Sequence, residues 1–594
     1  MYSMAVGNRI RRIRNKTLVE GESGAVYKEH GGRTRVCLVY PNSYRVGMSN
    51  LGFRLVYALL NARPDIVCER AFFEFGGAGR PAASVESGTP LYKFDIVAFS
   101  VSFENDFPGV AGALMGAGIP LYASERGEAH PLVAMGGPCA FMNPEPLSRF
   151  MDVVFVGEAE ALLGDFFDVF YACATRGELL DELAGKDGFY IPRAYAVDYE
   201  ADGRIARITS MTQGIVSPLT QGIVSPLTQG AAPPLTQGIA PPAGGAARRV
   251  RRRWVEALDA DSTPRPPQIV ARDTEFSGMR LVEVMRGCPW RCRFCAVSAI
   301  YRPIRMRGFA AVAGEVDEAR ACGQRVGLLG ASLTDYPRIG DVLGMEGVEF
   351  SISSVRASVK SAGIFLKKAD GRRQSISVAP ETGSERLRKV INKNLARDEI
   401  LETCRMILER GAATLRLYFM VGLPTETFED IEESVALVRE VRALSLRGDI
   451  VVSISPFVPK PFTPFQWHPM LAPEAVKKRL RAFKHGLKGL FSVKIHHEVV
   501  KQAHLQGLFS MGGRRLAPVI KLIAEGMPWR DACKECGVEP DFYTLRRKER
   551  DEIFPWDIID NGGDAGGGDS SERERERLWQ EYERACLAID QARG

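Results

Sequence analysis

The stretch RGCPWRCRFC (Arg286–Cys295) carries three thiols at the spacing C-x3-C-x2-C, on a predicted loop that follows an apolar strand. A [4Fe–4S] cluster normally takes four thiolates, so three thiolates leave one iron free to bind another molecule. Structural zinc is the alternative, but zinc sites usually pair two C-x2-C units or add histidine, and no histidine is near this stretch. The spacing therefore predicts a [4Fe–4S] cluster on Cys288, Cys292 and Cys295.

After the cysteine loop, the chain alternates predicted strands and helices at about the spacing of a (β/α) barrel. Such barrels carry their chemistry on the loops at the carboxyl ends of the strands. We therefore predict a partial (β/α)6 barrel of the TIM type over residues 276–470. Its predicted strands end at Gly330-Ala331-Ser332, near Arg356, at Pro380–Arg386, at Gly422–Glu426 and at Ser455–Lys460.

The same strand-loop-helix unit recurs earlier in the chain. Apolar strands are predicted at 36–40, 94–101, 131–135 and 152–156. Alternation of this kind predicts a doubly wound, flavodoxin-like parallel sheet that binds ligands at the carboxyl ends of its strands. We assign this unit to residues 33–170, after an N-terminal extension over residues 1–32.

Three stretches resemble the radical S-adenosylmethionine (SAM) family. They are the C-x3-C-x2-C loop with Phe294 before its last cysteine, P-E-T-G-S-E-R (Pro380–Arg386) and F-M-V-G-L-P-T-E-T (Phe419–Thr427). The chain is similar to an uncharacterised branch of that family, in which a cobalamin-binding-like domain precedes the barrel. The resemblance implies that SAM binds at the open iron of the cluster.

The resemblance also implies which side chains contact SAM. The loop at Gly330 and Ser332 would lie by the methionine amine, Glu381 by the ribose hydroxyls, and Gly422 by the adenine. Arg356 or Arg386 could bind the SAM carboxylate with bidentate geometry, although a surface salt bridge is the alternative for either one. The predicted SAM-binding residues are Phe294, Gly330, Ser332, Arg356, Glu381, Arg386 and Gly422.

Three landmarks of the N-terminal unit resemble a cobalamin-binding domain. Ser100-Val101-Ser102 is similar to its serine loop, Gly136-Gly137 to its glycine loop, and Gly157-Glu158-Ala159-Glu160 to its closing turn. Glycines there would let the backbone approach a flat macrocycle. The D-x-H-x-x-G loop, whose histidine ligates cobalt, is absent, and Tyr44–Gly52 stands in its place. The tentative cobalamin residues are Ser100, Ser102, Gly136, Gly137 and Gly157, but a domain that has lost the cofactor and only supports the barrel is the alternative.

The resemblance implies an enzyme that reductively cleaves SAM and uses the resulting radical to abstract hydrogen from a substrate. If cobalamin is bound, a methyl group on cobalt can be transferred. Two alternatives stay open: a cobalamin-independent enzyme that is methylthiotransferase-like or modifies tRNA or protein, and a non-catalytic Fe–S or zinc scaffold. A one-electron reductant of the flavodoxin or ferredoxin type is the implied partner. Neither the substrate nor a catalytic side chain follows from the sequence.

Composition indicates a globular cytoplasmic protein of several domains. The chain has 594 residues, 25% of them charged, and no apolar run long enough for a membrane-spanning helix. The first residues lack the apolar core of a secretory signal. A net charge of +6 supports a nucleic-acid partner only weakly. The concentrated basic run, Arg248–Arg253, fits a phosphate contact or a solvated strand edge.

The remaining segments carry weaker signals. Residues 171–275 are predicted to form a linker with a hairpin around Asp202-Gly203 and a low-complexity octapeptide repeat at 212–243. Residues 471–594 are predicted to be mainly helical, with a basic stretch at 472–491 and a charged docking or oligomerisation helix at 572–593. The aromatic and proline-rich run at 456–467 is either a wall of the substrate site or a stiff exit from the barrel.

The other cysteines are not predicted to bind metal. Cys533 and Cys536 form a single C-x-x-C pair at a helix end, which is a weak metal signal. Methylthiotransferases carry a second cluster on three cysteines of a similar N-terminal domain, so Cys37, Cys68 and Cys139 invite that comparison. Because free cysteine is among the most buried residue types, we interpret these three as core thiols.

Overall fold

Apolar strands in the first third of the chain build a six-stranded sheet, β2-β1-β3-β4-β5-β6. All pairs are parallel except the last, which is antiparallel. The prediction of a doubly wound, flavodoxin-like sheet is confirmed, because this order with helices on the sheet is that architecture. The strands are β1 (Thr34–Tyr40), β2 (Ile66–Phe72), β3 (Ile96–Ser100), β4 (Leu132–Gly136), β5 (Val153–Phe155) and β6 (Phe189–Tyr190).

The structure is a computed structural model. It describes residues 21–75, 82–211, 248–259, 269–352, 355–357, 363, 375–445, 447–562 and 570–587. The octapeptide repeat at 212–243 lies outside these residues.

Six helices among the described residues accompany the first sheet. They are α1 (Tyr44–Ser49), α2 (Leu51–Ala62), α3 (Phe107–Gly116), α4 (Pro138–Met142), α5 (Ala159–Ala172) and α6 (Arg176–Ala184). Helix α1 lies within the stretch Tyr44–Gly52 that stands in place of the D-x-H-x-x-G loop, and Ser43 caps this helix by accepting a hydrogen bond from the Val46 amide.

Two short pairings connect the first sheet to the rest of the chain. The predicted hairpin is formed by β7 (Tyr195–Tyr199) and β8 (Ile205–Ser210), which pair antiparallel. Strand β9 (Val250–Arg251) lies in the basic run and pairs with β19 (Ile559–Asp560) near the carboxyl end of the chain. Arg252 is 1% exposed, and its guanidinium lies 4.6 Å from the Trp254 ring centre. The run is therefore partly built into the fold rather than a free phosphate-binding segment.

The described residues of the central unit form seven parallel strands in two groups, β10-β13-β14 and β15-β16-β17-β18. A hydrogen bond from the Val355 amide to the Ser377 carbonyl, 2.9 Å long, joins the groups. That the two groups close into a partial barrel stays a prediction. The second group continues beyond residue 470, where the barrel was predicted to end. The strands are β10 (Met279–Glu283), β13 (Arg325–Leu329), β14 (Phe350–Ser351), β15 (Ser375–Glu381), β16 (Thr414–Val421), β17 (Asp449–Pro456) and β18 (Val493–His497), with β11 (Met285–Arg286) and β12 (Arg305–Met306) as a separate antiparallel pair.

Helices cover one face of the central strands. Along β16, the buried Leu415, Leu417 and Phe419 alternate with exposed or half-buried residues and belong to the core of this unit. The helices of this unit are α7 (Val297–Ile300), α8 (Phe309–Ala321), α9 (Ile339–Leu343), α10 (Glu385–Val390), α11 (Arg397–Glu409), α12 (Phe428–Leu444) and α13 (Pro473–Gly486).

The last helices pack on both preceding units. They are α14 (Val500–Met511), α15 (Ala517–Ala524), α16 (Trp529–Glu535), α17 (Pro540–Thr544) and α18 (Ser570–Leu587). Helices α14 and α15 share a core with the first sheet. Helix α18 buries Leu578 and Tyr582 against Phe465 and Trp467, both fully buried. These two aromatic residues therefore support the terminal helix and do not face a substrate.

No helix within the described residues combines the length and the apolar character that crossing a membrane requires.

Candidate cluster and cofactor site

The cysteine loop begins directly after β11 and lies between the two strands of the β11–β12 pair. Gly287 has a φ of +88°, and a Cβ there would lie 2.5 Å from the Tyr301 carbonyl oxygen, so this tight exit requires glycine. A turn within the loop is closed by a hydrogen bond of 3.1 Å from the Cys295 amide to the Cys292 carbonyl. The loop follows β10, the first central strand, at its carboxyl end, the position that the barrel prediction requires.

The three thiols are partly buried and have both cations, Lys393 and Arg356, and carboxylates nearby. Burial raises the pKa of Cys292 to about 11, against the opposing effect of Lys393 and Arg356 nearby. Burial likewise raises the pKa of Cys288 and Cys295. A metal cluster needs thiolates, and these two cations would offset the negative charge that bound thiolates bring. The donor set therefore fits an iron–sulfur cluster.

No group of three or more His, Cys, Asp or Glu side chains within the described ranges converges to hold a single metal ion. Cys533 is 1% exposed at the end of α16, where it packs in the core. Cys37 and Cys68 are fully buried and Cys139 is 1% exposed, so the interpretation of these three as core thiols is confirmed.

Arg286 ties the cysteine loop to the N-terminal unit. Its guanidinium pairs with Glu158 at 2.9 Å, Glu160 at 3.0 Å and Glu283 at 2.8 Å. Arg305 adds a second contact to Glu158, at 2.7 Å. Burial alone would raise the pKa of Glu158, but the two arginines hold it below its usual value. The two glutamates of the closing turn at 157–160 thus anchor the first unit to the cluster loop.

Arg293 ties the other end of the cysteine loop to the terminal helix. Its guanidinium donates to the Glu581 carboxylate of α18 at 2.9 and 3.0 Å. It also donates to the carbonyls of Lys389 and Val390 in α10, at 3.1 and 2.8 Å. The loop is consequently held from both sides by charged hydrogen bonds.

Asp335 links the cysteine loop to the loop after β13. One carboxylate oxygen accepts from the Trp290 indole and from the Ser332 hydroxyl, both at 2.6 Å. The Arg356 guanidinium lies 3.5 Å from the centre of the Trp290 ring. Ser332 and Arg356, predicted from separate strand ends, therefore meet around Trp290 beside Cys288.

The other predicted SAM residues occupy the next strand ends. Glu381 ends β15 with a φ of +65° and pairs with Lys393 at 2.7 Å. Gly422 follows β16 with a φ of +83°, and its amide donates to the Glu426 carboxylate at 2.9 Å. Phe294 packs at the edge of the terminal-helix core.

Arg386 differs from Arg356 in its surroundings. Its guanidinium pairs with Asp430 and donates to the Thr425 carbonyl at 3.0 Å. It already has partners within the central unit, whereas Arg356 lies against the cysteine loop.

A cavity of about 380 Å³ separates the first sheet from the cysteine loop. All five tentative cobalamin residues line it, and so do Glu158, Glu160 and Arg286 of the charged anchor. On the side of the central unit it reaches Gly287 and Gly330. Deeper in the first unit its walls are apolar and come from one face of the sheet, α2 and α5; they include Leu38, Leu55, Ala98, Leu163 and Phe166.

At two positions that line this cavity, glycine is also required because the neighbouring backbone leaves no room for a side chain. A Cβ at Gly137 would lie 2.7 Å from the Val101 carbonyl oxygen, and one at Gly157 would lie 2.1 Å from the Arg253 carbonyl oxygen. At Gly136 the nearest atom would be 3.9 Å away. Gly136 is therefore the position whose missing side chain leaves open space, and the roles of all three in cofactor binding stay predictions.

Sequence reasoning did not identify Asp335, Lys393 or Glu581 as neighbours of the cluster loop. Each lies far from the cysteines in the chain and has no motif of its own. For Glu158 and Glu160 the turn was recognised, but its ion pairs with Arg286 required the structure.

A doubly wound unit followed by a cysteine loop at the carboxyl edge of parallel strands defines a cluster-binding α/β protein. The family model described as radical SAM proteins, N-terminal, matches residues 52–192, and that of the radical SAM superfamily matches residues 282–438. The chain belongs to the radical SAM superfamily.

Two kinds of relative are similar in sequence. An uncharacterised protein of Methanocaldococcus jannaschii is 25% identical over 489 residues, which cover 81% of this chain and 89% of that protein. A tRNA-2-methylthio-N(6)-dimethylallyladenosine synthase of Desulforamulus reducens is 29% identical over 177 residues, 27% of this chain and 39% of the synthase.

Solved structures show a distant likeness. The radical SAM methyltransferase TsrM of Kitasatospora setae, with cobalamin and a [4Fe–4S] cluster bound, is 13% identical with a TM-score of 0.42; the match covers 71% of this chain and 72% of that one. The cobalamin-dependent SAM radical enzyme OxsB, with aqua-cobalamin and SAM bound, is 14% identical with a TM-score of 0.42 and coverages of 68% and 52%.

Proposed function

We propose that this radical SAM enzyme holds cobalamin in the cavity between its two α/β units and transfers a methyl group to its substrate. The observation that carries the proposal is the lining of that cavity. Small residues of the first sheet, Ser100, Ser102 and Gly136, form one side, and Gly287 and Gly330 of the central unit form the other. A cofactor placed there would therefore be adjacent to the cluster loop.

The cavity offers two environments that suit the two parts of cobalamin. Its wall between the sheet, α2 and α5 is apolar and suits an aromatic nucleotide tail. Toward the cysteine loop it is lined by hydroxyls, glycines and the Arg286 anchor, where backbone can approach a flat ring. The described lining residues include no histidine, so we expect no histidine of the first unit to ligate cobalt.

We assign the cluster to Cys288, Cys292 and Cys295, and SAM to the loops around them. When bound, the cluster supplies the electron that cleaves SAM, and a corrinoid supplies a cobalt atom that carries methyl. The chain's own residues position these groups: Asp335 fixes Trp290 and Ser332, and Lys393 fixes Glu381 for the ribose diol. Arg356 is better placed than Arg386 for the SAM carboxylate, because Asp430 already engages Arg386. Electrons would come from an external reductant of the flavodoxin or ferredoxin type.

Retention of hydroxocobalamin through gel filtration tests the proposal. We expect the reconstituted wild-type protein to retain it and Gly136→Leu to lose it, because the leucine side chain would occupy open cavity space without straining the backbone. Gly164→Leu is the matched control, since Gly164 is exposed on α5 and a Cβ there meets nothing within 4 Å. Equal retention by Gly136→Leu, or no retention by the wild type in either oxidation state, would overturn the assignment.

A further inference from the structure

The exposed face of α13 is mostly basic, and Glu474 is the one acidic residue of this helix. Its buried positions, Val476, Leu480 and Phe483, pack on the central sheet. The exposed side chains of α13 and the segment after it form what we call the basic face: Lys477, Lys478, Arg481, Lys484, Lys488 and Lys494. Solvated helix faces usually mix both signs, so this face differs from an ordinary surface.

The neighbouring outer helices provide an internal comparison. Helix α11 reads RDEILETCRMILE and α12 reads FEDIEESVALVREVRAL, so both expose acids together with arginines. The arginines of α11 named here are paired with acids, Arg405 with Glu402 at 2.6 Å and Arg397 with Glu440 of α12 at 2.8 Å. The excess of positive charge is therefore particular to α13 and not a general property of this layer.

Part of the basic face lacks ion-pair partners. Lys477 pairs with Glu474 at 2.7 Å, and Lys494 pairs with Asp449 at 2.8 Å. Lys478, Arg481 and Lys488 have no carboxylate within 4 Å among the described residues. Lys478 and Arg481 lie on α13, and Lys488 lies two residues after its last residue. Their charge is available to an anionic partner.

An exposed aromatic residue lies at the end of the basic face. Phe491, between α13 and β18, is 71% exposed, the largest value among the described large apolar side chains. Exposed aromatic rings beside a line of cations are the arrangement that binds single-stranded nucleic acids, because bases stack on the ring while cations contact phosphates.

The basic face is also connected to the candidate SAM site. Arg479 points inward from the first turns of α13 and donates to the Glu426 carboxylate at 2.7 Å. The same carboxylate accepts from the Gly422 amide. A strand bound along α13 would therefore pass close to the carboxyl edge of β16.

We propose that the basic face binds the phosphodiester backbone of a single-stranded nucleic acid segment, and that the substrate is a nucleotide within it. The substrate part of this inference rests on the proposed function, whereas the binding part does not. Phosphates would contact Lys478, Arg481 and Lys488, and a base would stack on Phe491. This assigns a substrate class to the enzyme.

Fluorescence anisotropy with labelled single-stranded RNA and single-stranded DNA tests the binding on the reconstituted full chain. The test variant is Lys478→Gln/Arg481→Gln/Lys488→Gln. The control, Lys93→Gln/Arg530→Gln/Lys534→Gln, also removes two lysines and one arginine, all exposed and on other surfaces. We expect the test variant to bind at least about tenfold more weakly, with the slope of log K against log salt reduced by about 2, while the control matches the wild type.

Phe491→Ala should weaken binding about tenfold without changing the salt slope, because it removes stacking and no charge. Tyr92→Ala, at another exposed aromatic residue, should have no effect. Preference for RNA or for DNA would identify the source of the substrate, and either preference supports the proposal. Equal losses in both triple variants, or binding to phosphatidylserine vesicles but not to nucleic acid, would overturn it. If the wild-type protein binds nucleic acid but retains no cobalamin, the binding inference stands and only the proposed cofactor is refuted.

Discussion

At the scale of single residues, two arginines inside the cysteine stretch give it a defined position. Arg286 binds three carboxylates, two of them from the first unit, and Arg293 binds a carboxylate from the last helix. Buried or half-buried guanidinium–carboxylate contacts of this kind pair opposite charges and also fix the relative orientation of the two groups. Cys288 and Cys292 lie between these two arginines and Cys295 lies two residues after the second, so the ligand segment is held before any cluster is bound.

The ligand assignment predicts the outcome of cysteine replacements. Cys292→Ala should abolish reductive cleavage of SAM and lower the iron content, whereas the wild type should bind about four irons. The exposed Cys322 provides the matched control, and Cys322→Ala should behave as the wild type. Iron analysis and chromatography of 5′-deoxyadenosine measure both quantities, and SAM cleavage retained by Cys292→Ala would refute the assignment.

Glu381 should affect SAM binding without affecting the cluster. Glu381→Gln removes the charge that Lys393 orients, so the dissociation constant for SAM should rise by about tenfold or more, the typical cost of a charged hydrogen bond. The comparison is Glu385→Gln, which changes an exposed glutamate of α10. If Glu381→Gln loses cluster iron, the residue is structural and the ribose assignment is wrong.

At the scale of elements, the terminal helix α18 is part of the support for the cluster. It is held by Leu578, Tyr582 and Trp579, which packs 5.2 Å from the Trp467 ring centre, and it presents Glu581 to Arg293. Patterning alone predicted a docking or oligomerisation helix there. Its target is the cysteine loop and the 456–467 run of the same chain.

Weakening this contact should make the cluster easier to extract. Glu581→Gln removes the charge that faces Arg293, so a chelator should withdraw iron severalfold faster than from the wild type. Glu583→Gln changes an exposed glutamate two positions along the same helix and should have no effect. Identical extraction rates for the two variants would mean that α18 does not support the loop.

Local patterns predicted several elements and missed others for a physical reason. The strand ends at Gly330, Glu381 and Gly422 were predictable, because each apolar run stops at a glycine or a polar loop. Strand β18 was missed, since VKIHH has charged and half-buried residues and lies at the edge of its group. The contacts of Asp335 and Glu581 could not be predicted, because they join segments that are distant in the chain.

At the scale of the whole molecule, several ionic contacts join the first unit to the rest. Besides the Arg286 anchor, Glu104 after the serine loop pairs with Lys460 at 2.5 Å and accepts from Gln506 at 3.0 Å. Helices α14 and α15 add apolar contact with the first sheet. These contacts set the width of the cavity, which lies between the units they connect.

The octapeptide repeat should be dispensable for this arrangement. Its described flanks are close together, since the Met211 amide donates to the Ala194 carbonyl and the Tyr195 hydroxyl donates to the Arg248 carbonyl, both at 2.8 Å. Deleting residues 212–242 should change the melting temperature by less than about 2 °C, because closure entropy depends weakly on loop length. A large drop in a thermal scan would show that the repeat packs against the fold.

The most direct test of the central claim is whether a cofactor in the cavity senses the cluster. Protein loaded with both cofactors and reduced to the paramagnetic states of cluster and cobalt can be studied by electron paramagnetic resonance. Because the cavity runs from Ser100 to Gly287, next to Cys288, we predict that cluster reduction splits or broadens the cobalt signal. In Cys292→Ala, the same reducing treatment should leave the shape of the cobalt signal unchanged. A wild-type spectrum that is the plain sum of two independent signals would contradict the account.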